Sequence, residues 1–401
     1  MDLLHRTFGD TSLALQFIIT AACVFGLSLA LTPLIRHIAR QTGILAPIRA
    51  RDTHTRPTPL LGGVAIYLAF IAGVLLFEPL TGNRFDVLNK QFQINGDTFK
   101  QFRGVLLGAS IAVLIGIIDD VLTQRNARGL RPSIHCLGQI AAAGAALIGG
   151  LDWVHGISNP LSSVQFIYAH PEKHLQILLA MPIGVAFTIF WIVGMMNTVN
   201  FLDGLDGLAG GVVMIAAALL AIWSGRTHGE GLNALVGSQV LVLPPLILAA
   251  ALLGFLIYNW SPASIFMGDA GAQFAGFTVG ALAILGPAKI GTALLILAIP
   301  ILDVAWVFIR RPMQGSAFFS ADSEHLHHRL LKRGFSVQRI VLTFYAMCTA
   351  LGLADLVLNK ASKLLAFLLV VVVTVIVLSR MTAKQPPEVS STGPPSPVPL
   401  S

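Results

Sequence analysis

The sequence predicts an all-α polytopic membrane protein of about eleven transmembrane helices, with the N-terminus outside and the C-terminus in the cytoplasm. Three observations lead there. Of the 401 residues, 55% are hydrophobic and only 11% charged, and the mean hydropathy of +0.78 lies far above that of soluble globular chains. The apolar residues fall into eleven runs, at roughly 13–35, 60–77, 104–118, 134–150, 177–196, 207–223, 237–257, 272–286, 289–309, 341–358 and 364–379. Most of the 26 lysines and arginines fall in loops on one side of those runs, which the positive-inside rule makes the cytoplasmic side.

Several runs are shorter than the ~20 residues that cross a hydrocarbon core of ~30 Å, so their ends borrow from the flanks or the bilayer thins. The first is retained as a true span. It is too long for a cleaved signal, and the segment before it has Arg6 against Asp2 and Asp10. Pro244-Pro245 and Pro300 predict broken helices. Cys23, Cys136 and Cys348 lie in apolar segments without metal-ligand spacing and read as small hydrophobes. A single membrane domain is expected over 1–380, followed at 381–401 by a Pro- and Ser-rich tail that can bury little and reads as disordered. The loops 78–103 and 151–176 have no assignable chemistry. A formal charge of +7 suits anionic headgroups and phosphorylated substrates rather than nucleic acid.

Five polar clusters interrupt this apolar chain, and loop parity sets all of them on the same side. HTRPTPLLGG (His54 to Gly63) contains two prolines that fix an extended segment, while Arg56, Gly62 and Gly63 are candidates for phosphate contact. In GIIDDV, Asp119 and Asp120 follow an uninterrupted apolar run. Carboxylates near hydrocarbon cost about 2.5 to 3.5 kcal/mol each, and two of them ~4 Å apart repel by ~4 kcal/mol at a dielectric of ~20. The pair reads either as a helix end meeting water or as a site for a divalent cation such as Mg²⁺, which prefers hard oxygen ligands.

NTVNFLDGLDGLAGG repeats Asn197, Asn200, Asp203 and Asp206 every three residues, which on a helix makes one polar stripe. The glycines that follow, Gly207 among them, either pack helices closely or let backbone amides approach a phosphate. FMGDAGA sets Asp269 between glycines, by itself the pattern of a turn or N-cap. In HLHHRL, helical spacing puts His325 and His328 on one face and turns His327 elsewhere. Zinc is conceivable there, but the acids elsewhere are oxygen donors suited to Mg²⁺. Hydrogen-bond donation to phosphate oxygens by His325, His327, His328 and Arg329 is the favoured reading. Asp303, an acid inside an apolar run, calls for a function or a buried partner.

In this order and at these membrane ends, DD, NxxNFLDGLDGLAGG, FMGDxGA and HxHHRL resemble the polyprenyl-phosphate N-acetylhexosamine-1-phosphate transferase family, from about Thr32 to Arg339. The resemblance implies transfer of a sugar 1-phosphate from a UDP-sugar to undecaprenyl phosphate, with release of UMP and dependence on Mg²⁺, Mn²⁺ serving as a substitute. It assigns Asp269 with Asp119 or Asp120 to the metal. Asp203, Asp206, Asn197 and Asn200 then order the metal shell and the diphosphate, and the histidines with Arg329 grip the nucleotide sugar. HLHH is similar to the branch that uses UDP-N-acetylglucosamine or a related UDP-N-acetylhexosamine to begin O-antigen or teichoic-acid-type polymers. A bacterial inner-membrane location, a site facing the cytoplasm and a homodimer are further expectations. The loop 258–265 offers no sugar-specific residue.

Two rivals fit less well. A secondary transporter is the alternative from another class, but such proteins place their acids near the midplane and often show paired halves. A CDP-alcohol phosphotransferase needs a DGxxAR run, and DGLAGG lacks the arginine.

Overall fold

The computed structural model describes residues 11–47, 57–80, 96–126, 129–158, 176–226, 232–285, 289–313 and 325–383. Arg56 and the tail from 384 onward lie outside the described residues. Thirteen helices run in the order α1 (Thr11–Gln41), α2 (Gly62–Leu80), α3 (Gly96–Asn126), α4 (Pro132–Gly149), α5 (Met181–Leu202), α6 (Leu208–Arg226), α7 (Leu232–Asn259), α8 (Gly268–Leu285), α9 (Lys289–Ile296), α10 (Ala298–Met313), α11 (Leu326–Lys332), α12 (Val337–Val357) and α13 (Lys360–Ala383). Between α4 and α5 an antiparallel ribbon pairs β1 (Gly156–Ser158) with β2 (Gln176–Leu178), a small exception to the all-helical expectation.

Among the described residues nine helices are long and apolar enough to cross a membrane, or ten if the bent pair α9–α10 is one span. The shorter apolar helix Gly62–Leu75 lies within α2. Every one of the eleven expected apolar runs is occupied by helix. Burial sorts the helices into centre and periphery. In α8, 83% of the apolar window is inside the protein, against 11% in α13, whose leucines and valines face outward as lipid-facing residues do.

Small residues let the other helices close on α8, as expected where lipid removes the hydrophobic drive for helix association. A Cβ on Gly63 of α2 would lie 2.0 Å from the Gly271 nitrogen, and one on Gly116 of α3 would lie 2.3 Å from the Ala270 Cα. Gly276 of α8 is pressed in the same way on the backbone of Met195 and Met196 in α5. Any side chain at these positions would wedge the bundle apart at the end that carries the acids.

The proline expectation divides. Near Pro300 the chain does break, with an 83° bend between Ile296 and Ala298. Pro300 then sits in the first turn of α10, where a missing N–H costs nothing. At Pro244-Pro245 the expectation is corrected, because α7 continues through both prolines. Burial of 72% of its Leu241–Asn259 span, between α6 and α1, holds the helix despite two absent donors.

Candidate active site

The polar clusters that the structure describes meet at one end of the bundle. Asp119 and Asp120, 8% and 2% exposed, sit in the last turns of α3. The first turn of α8 leaves backbone N–H groups without helical partners, and Asp120 takes two of them. Its Oδ1 accepts from the Asp269 amide at 2.9 Å and its Oδ2 from the Ala270 amide at 3.1 Å. The clasp explains Gly268. This residue has φ +69°, and a Cβ there would stand 2.7 Å from Asp120 Oδ2, so glycine is required both by conformation and by space.

Three more acids crowd this clasp. Asp119 Oδ1 accepts the Leu130 amide at 2.5 Å, and the Asp119 carboxyl lies within electrostatic reach of Asp269. From α5, the Asn200 amide donates to Asp269 Oδ1. One residue past that span, Asp203 caps the helix C-terminus and faces the charges of Asp120 and Asp206. Burial first, then those two carboxylates, push its carboxyl well above the usual range. Among the described residues no Lys or Arg forms an ion pair with this group.

The polar stripe read from the sequence ends at Asp203, because the helix stops at Leu202 and Gly207 takes φ +79°. Asp206 turns away to accept the Ala263 amide at 3.0 Å. Asn197 also leaves the cluster: its amide donates to Gln139 Oε1 at 2.9 Å and to the Val193 carbonyl at 2.8 Å. Gln139 in turn donates to Gln273 Oε1 at 3.0 Å. These three amides form a polar layer one turn deeper, joining α4, α5 and α8.

The glycines expected to meet phosphate have structural partners instead. The Gly62 and Gly63 amides donate to the Phe266 and Met267 carbonyls at 3.0 and 2.8 Å, pinning α2 to the strand-like lead into α8. The Gly207 amide donates to Asn259 Oδ1 at 3.1 Å, and its carbonyl accepts from the Tyr345 hydroxyl. Asn259 also holds the Ile265 carbonyl, at 3.0 Å. The loop 260–265 is thus fastened to the DGLDG turn by Asn259 and Asp206. Sequence reading missed Asn259, Tyr345, Gln139 and Gln273. Only the two glutamines had a signal, being amides within apolar spans.

The histidine segment approaches from the other side of the DGLDG turn. His327 is the ring nearest that turn, contrary to the helical-face expectation: a Cβ on Gly204 would lie 2.7 Å from its Nε2. The reason is that His325 precedes the helix as its N-cap, so the three-residue spacing is not helical. His327 packs between His325 and His328, with ring centroids 5.8 and 4.3 Å away. Both of its ring nitrogens are buried without a hydrogen-bond partner. Burial first, then His328 and His325, hold its pKa well below the usual 6.5. Arg329 is 3% exposed and donates to the Leu378 carbonyl near the end of α13 at 3.2 Å, tying the segment to the last span.

What this arrangement can hold follows from its donors. Among the described residues no three His, Cys, Asp or Glu side chains stand close enough to enclose an ion by themselves. The carboxylates of Asp119, Asp120, Asp203 and Asp269 are nevertheless oxygen donors and anionic, and among the described residues no Lys or Arg pairs with them. That matches a magnesium-like ion, which keeps several waters and takes one or two carboxylates together with substrate phosphates.

Fold and site together define a polytopic membrane enzyme with an acidic centre at one end of its helices, the architecture of a membrane-embedded transferase. Residues 102–287 match the family described as glycosyl transferase family 4. The chain is 30% identical over 354 residues to the probable undecaprenyl-phosphate N-acetylglucosaminyl 1-phosphate transferase of Bacillus subtilis (strain 168), covering 86% of each protein. It is 32% identical over 332 residues to the decaprenyl-phosphate N-acetylglucosaminephosphotransferase of Mycobacterium tuberculosis (strain ATCC 25618 / H37Rv), covering 78% of this chain and 74% of the relative. A phospho-N-acetylmuramoyl-pentapeptide-transferase of Gluconacetobacter diazotrophicus is 29% identical over 378 residues, covering 89% of this chain and 96% of the relative. The chain belongs to glycosyl transferase family 4.

Proposed function

We propose that this protein transfers N-acetylglucosamine 1-phosphate from UDP-N-acetylglucosamine to undecaprenyl phosphate, releasing UMP and beginning a cell-surface polysaccharide such as an O-antigen at the cytoplasmic face of a bacterial inner membrane. The observation that supports it most is the gathering of Asp119, Asp120, Asp203 and Asp269 at the bundle end, with no Lys or Arg ion pair among the described residues, in a chain whose relatives in Bacillus and Mycobacterium are named for this transfer onto polyprenyl phosphates. Both reactants are phosphorylated, so such a site works by positioning and charge neutralisation rather than by covalent chemistry.

In the step itself, an oxygen of the lipid phosphate attacks the sugar-bearing phosphorus of the UDP-sugar. The new P–O bond replaces the bond to the UMP oxygen, and UMP leaves with that electron pair. A phosphate monoester is mostly dianionic at neutral pH, so the attacking oxygen needs no general base. Asp119, Asp203 and Asp269 with Asn200 would hold Mg²⁺, which supplies countercharge to the diphosphate. Asp120 sets the helix end that presents Asp269, and His327 with His328 faces the nucleotide side of the DGLDG turn. The experiment is direct: purified protein with undecaprenyl phosphate, Mg²⁺ and a panel of UDP-N-acetylhexosamines, with UMP release followed. Release must require both lipid and UDP-N-acetylglucosamine. A radiolabelled sugar phosphate trapped on an aspartate without lipid would contradict the single displacement.

A further inference from the structure

Asp303 lies in α10, beyond the 83° bend, and no part of the proposed reaction uses it. It is 3% exposed, and both of its oxygens are engaged by the histidine segment: Oδ1 accepts the Leu326 amide at 2.9 Å, and Oδ2 meets His325 Nδ1 at 3.1 Å. The His325 ring is fixed on its faces as well. Phe201, two residues before Asp203, stacks on it at 5.0 Å and 27°, with Phe308 of α10 edge-on to Phe201 at 5.9 Å. His327 lies nearly parallel to the ring at 5.8 Å. With two rings packed near it and one nitrogen engaged, the His325 ring has one polar atom left, Nε2.

We propose that Asp303 is a positioning residue that fixes the orientation of His325 and the proton on its Nδ1, so that Nε2 is directed toward the substrate phosphates. The reasoning is local. An ionised carboxylate has no proton to give, so it accepts from the Leu326 amide on one oxygen and from the ring on the other, and Nδ1 carries a proton. A buried pair of this kind specifies orientation more than it adds stability. The same contacts make α10 and the histidine segment one mechanical unit, since the carboxylate that caps α11 also grips the ring before it. This rests on the transferase reading for its kinetic consequences, but not for its tautomer.

The test has two arms. In the first, protein labelled with ¹⁵N-histidine is observed by NMR without substrates, and the His325 resonances are assigned by their loss in His325→Asn, whose amide can still donate to Asp303. The expected result is a protonated Nδ1 in the wild type and the opposite tautomer in Asp303→Asn, whose amide nitrogen turns toward the ring. A wild-type Nδ1 without a proton overturns the proposal, whether or not the variant folds. In the second arm, Asp303→Asn retains an oxygen for the Leu326 amide and should lower kcat at least ~10-fold. The same change made in a His325→Ala background should add less than ~3-fold, because its effect passes through the ring. Losses that multiply would show a cap alone and overturn it. If the wild type turns over no UDP-sugar with polyprenyl phosphate, the transferase reading fails, while the tautomer arm still decides the role of Asp303.

Discussion

Asp119 and Asp120 are neighbours of the same type, yet the structure predicts that conversion to asparagine will affect them differently. Asparagine offers one acceptor oxygen in place of two. Asp119 has one backbone N–H to satisfy among the described residues, that of Leu130, and an asparagine oxygen can keep it. Asp120 has two, those of Asp269 and Ala270, so the substituted amide nitrogen must face one of these donors. Losing a hydrogen bond to a charged group costs about 1.5–3 kcal/mol, and the anion's interaction with the α8 N-terminus adds up to ~1 more. Removing one negative charge from a crowded acidic cluster also relieves repulsion, which offsets part of the loss in both variants. Asp120→Asn should therefore be less stable than Asp119→Asn by about 2–4 kcal/mol. The shift per kcal/mol falls with chain length, from about 2–4 °C for chains of 150–250 residues, so for these 401 residues the gap is a few degrees in a fluorescence-detected melt in detergent. Both variants should lose turnover, Asp119→Asn through the cluster and Asp120→Asn through a displaced Asp269. The clasp argument would be refuted by an Asp120→Asn protein that melts at or above Asp119→Asn.

Three further outcomes follow from the same geometry. Gly204 has no left-handed backbone requirement, so Gly204→Ala should melt within about 0.5 kcal/mol of wild type, while UMP release falls at least ~10-fold because the new Cβ displaces His327. His327 is held neutral, so its folded form resists protonation; the stability this contributes is complete above pH 6.5 and is lost as pH falls below that value. A diphosphate arriving beside it reverses the shift, and titration calorimetry of UDP-N-acetylglucosamine binding near pH 6.5, in buffers of different ionisation enthalpy, should show proton uptake that His327→Gln abolishes. At the other end of the bundle, Lys363 meets the buried Asp355 at 2.8 Å and lies 5.0 Å from the Trp223 ring, while Thr292 donates to the second oxygen of Asp355. Lys363→Met should cost about 3–5 kcal/mol in a thermal melt by stranding a buried charge, and adding Asp355→Leu should recover most of it.

How much of this was legible beforehand depends on whether a residue's partner is near in sequence. The spans could be read because membrane helices satisfy their own backbone, leaving hydropathy as a sufficient signal. The acids could be singled out because carboxylates beside hydrocarbon need compensation. Their division of labour could not, since the partners of Asp120 are 149 and 150 residues away and no local pattern distinguishes it from Asp119. The backbone contacts of Gly62, Gly63 and Gly207 could not be foreseen for a related reason: a glycine that admits a phosphate and one that admits another backbone look identical in sequence. The loop 258–265 offers no sugar-specific residue, and its fastening to Asp206 was not legible because that acid is 57 residues from Ala263 in sequence.

The acids at this end of the molecule therefore serve two purposes. Asp120, Asp206 and Asp303 use oxygens on backbone amides of segments far from them in sequence, whereas Asp269 lies against Asp119 and Asp120, and Asp203 faces the charges of Asp120 and Asp206. The DGLDG turn contains one acid of each kind, three residues apart, so it offers the cleanest comparison. Asp206→Asn keeps an acceptor for the Ala263 amide at 3.0 Å, and with the oxygen retained turnover should fall less than ~10-fold. Asp203 has no such substitute, because its contribution is negative charge held against burial and against its neighbours. Asp203→Asn should then lower kcat by two or more orders of magnitude without lowering the melting temperature, since it removes a strained charge rather than a bond. Equal losses of activity in the two variants would mean that Asp206 reaches the reacting phosphates, and that its bond to Ala263 is exchanged for a substrate contact when the nucleotide sugar binds.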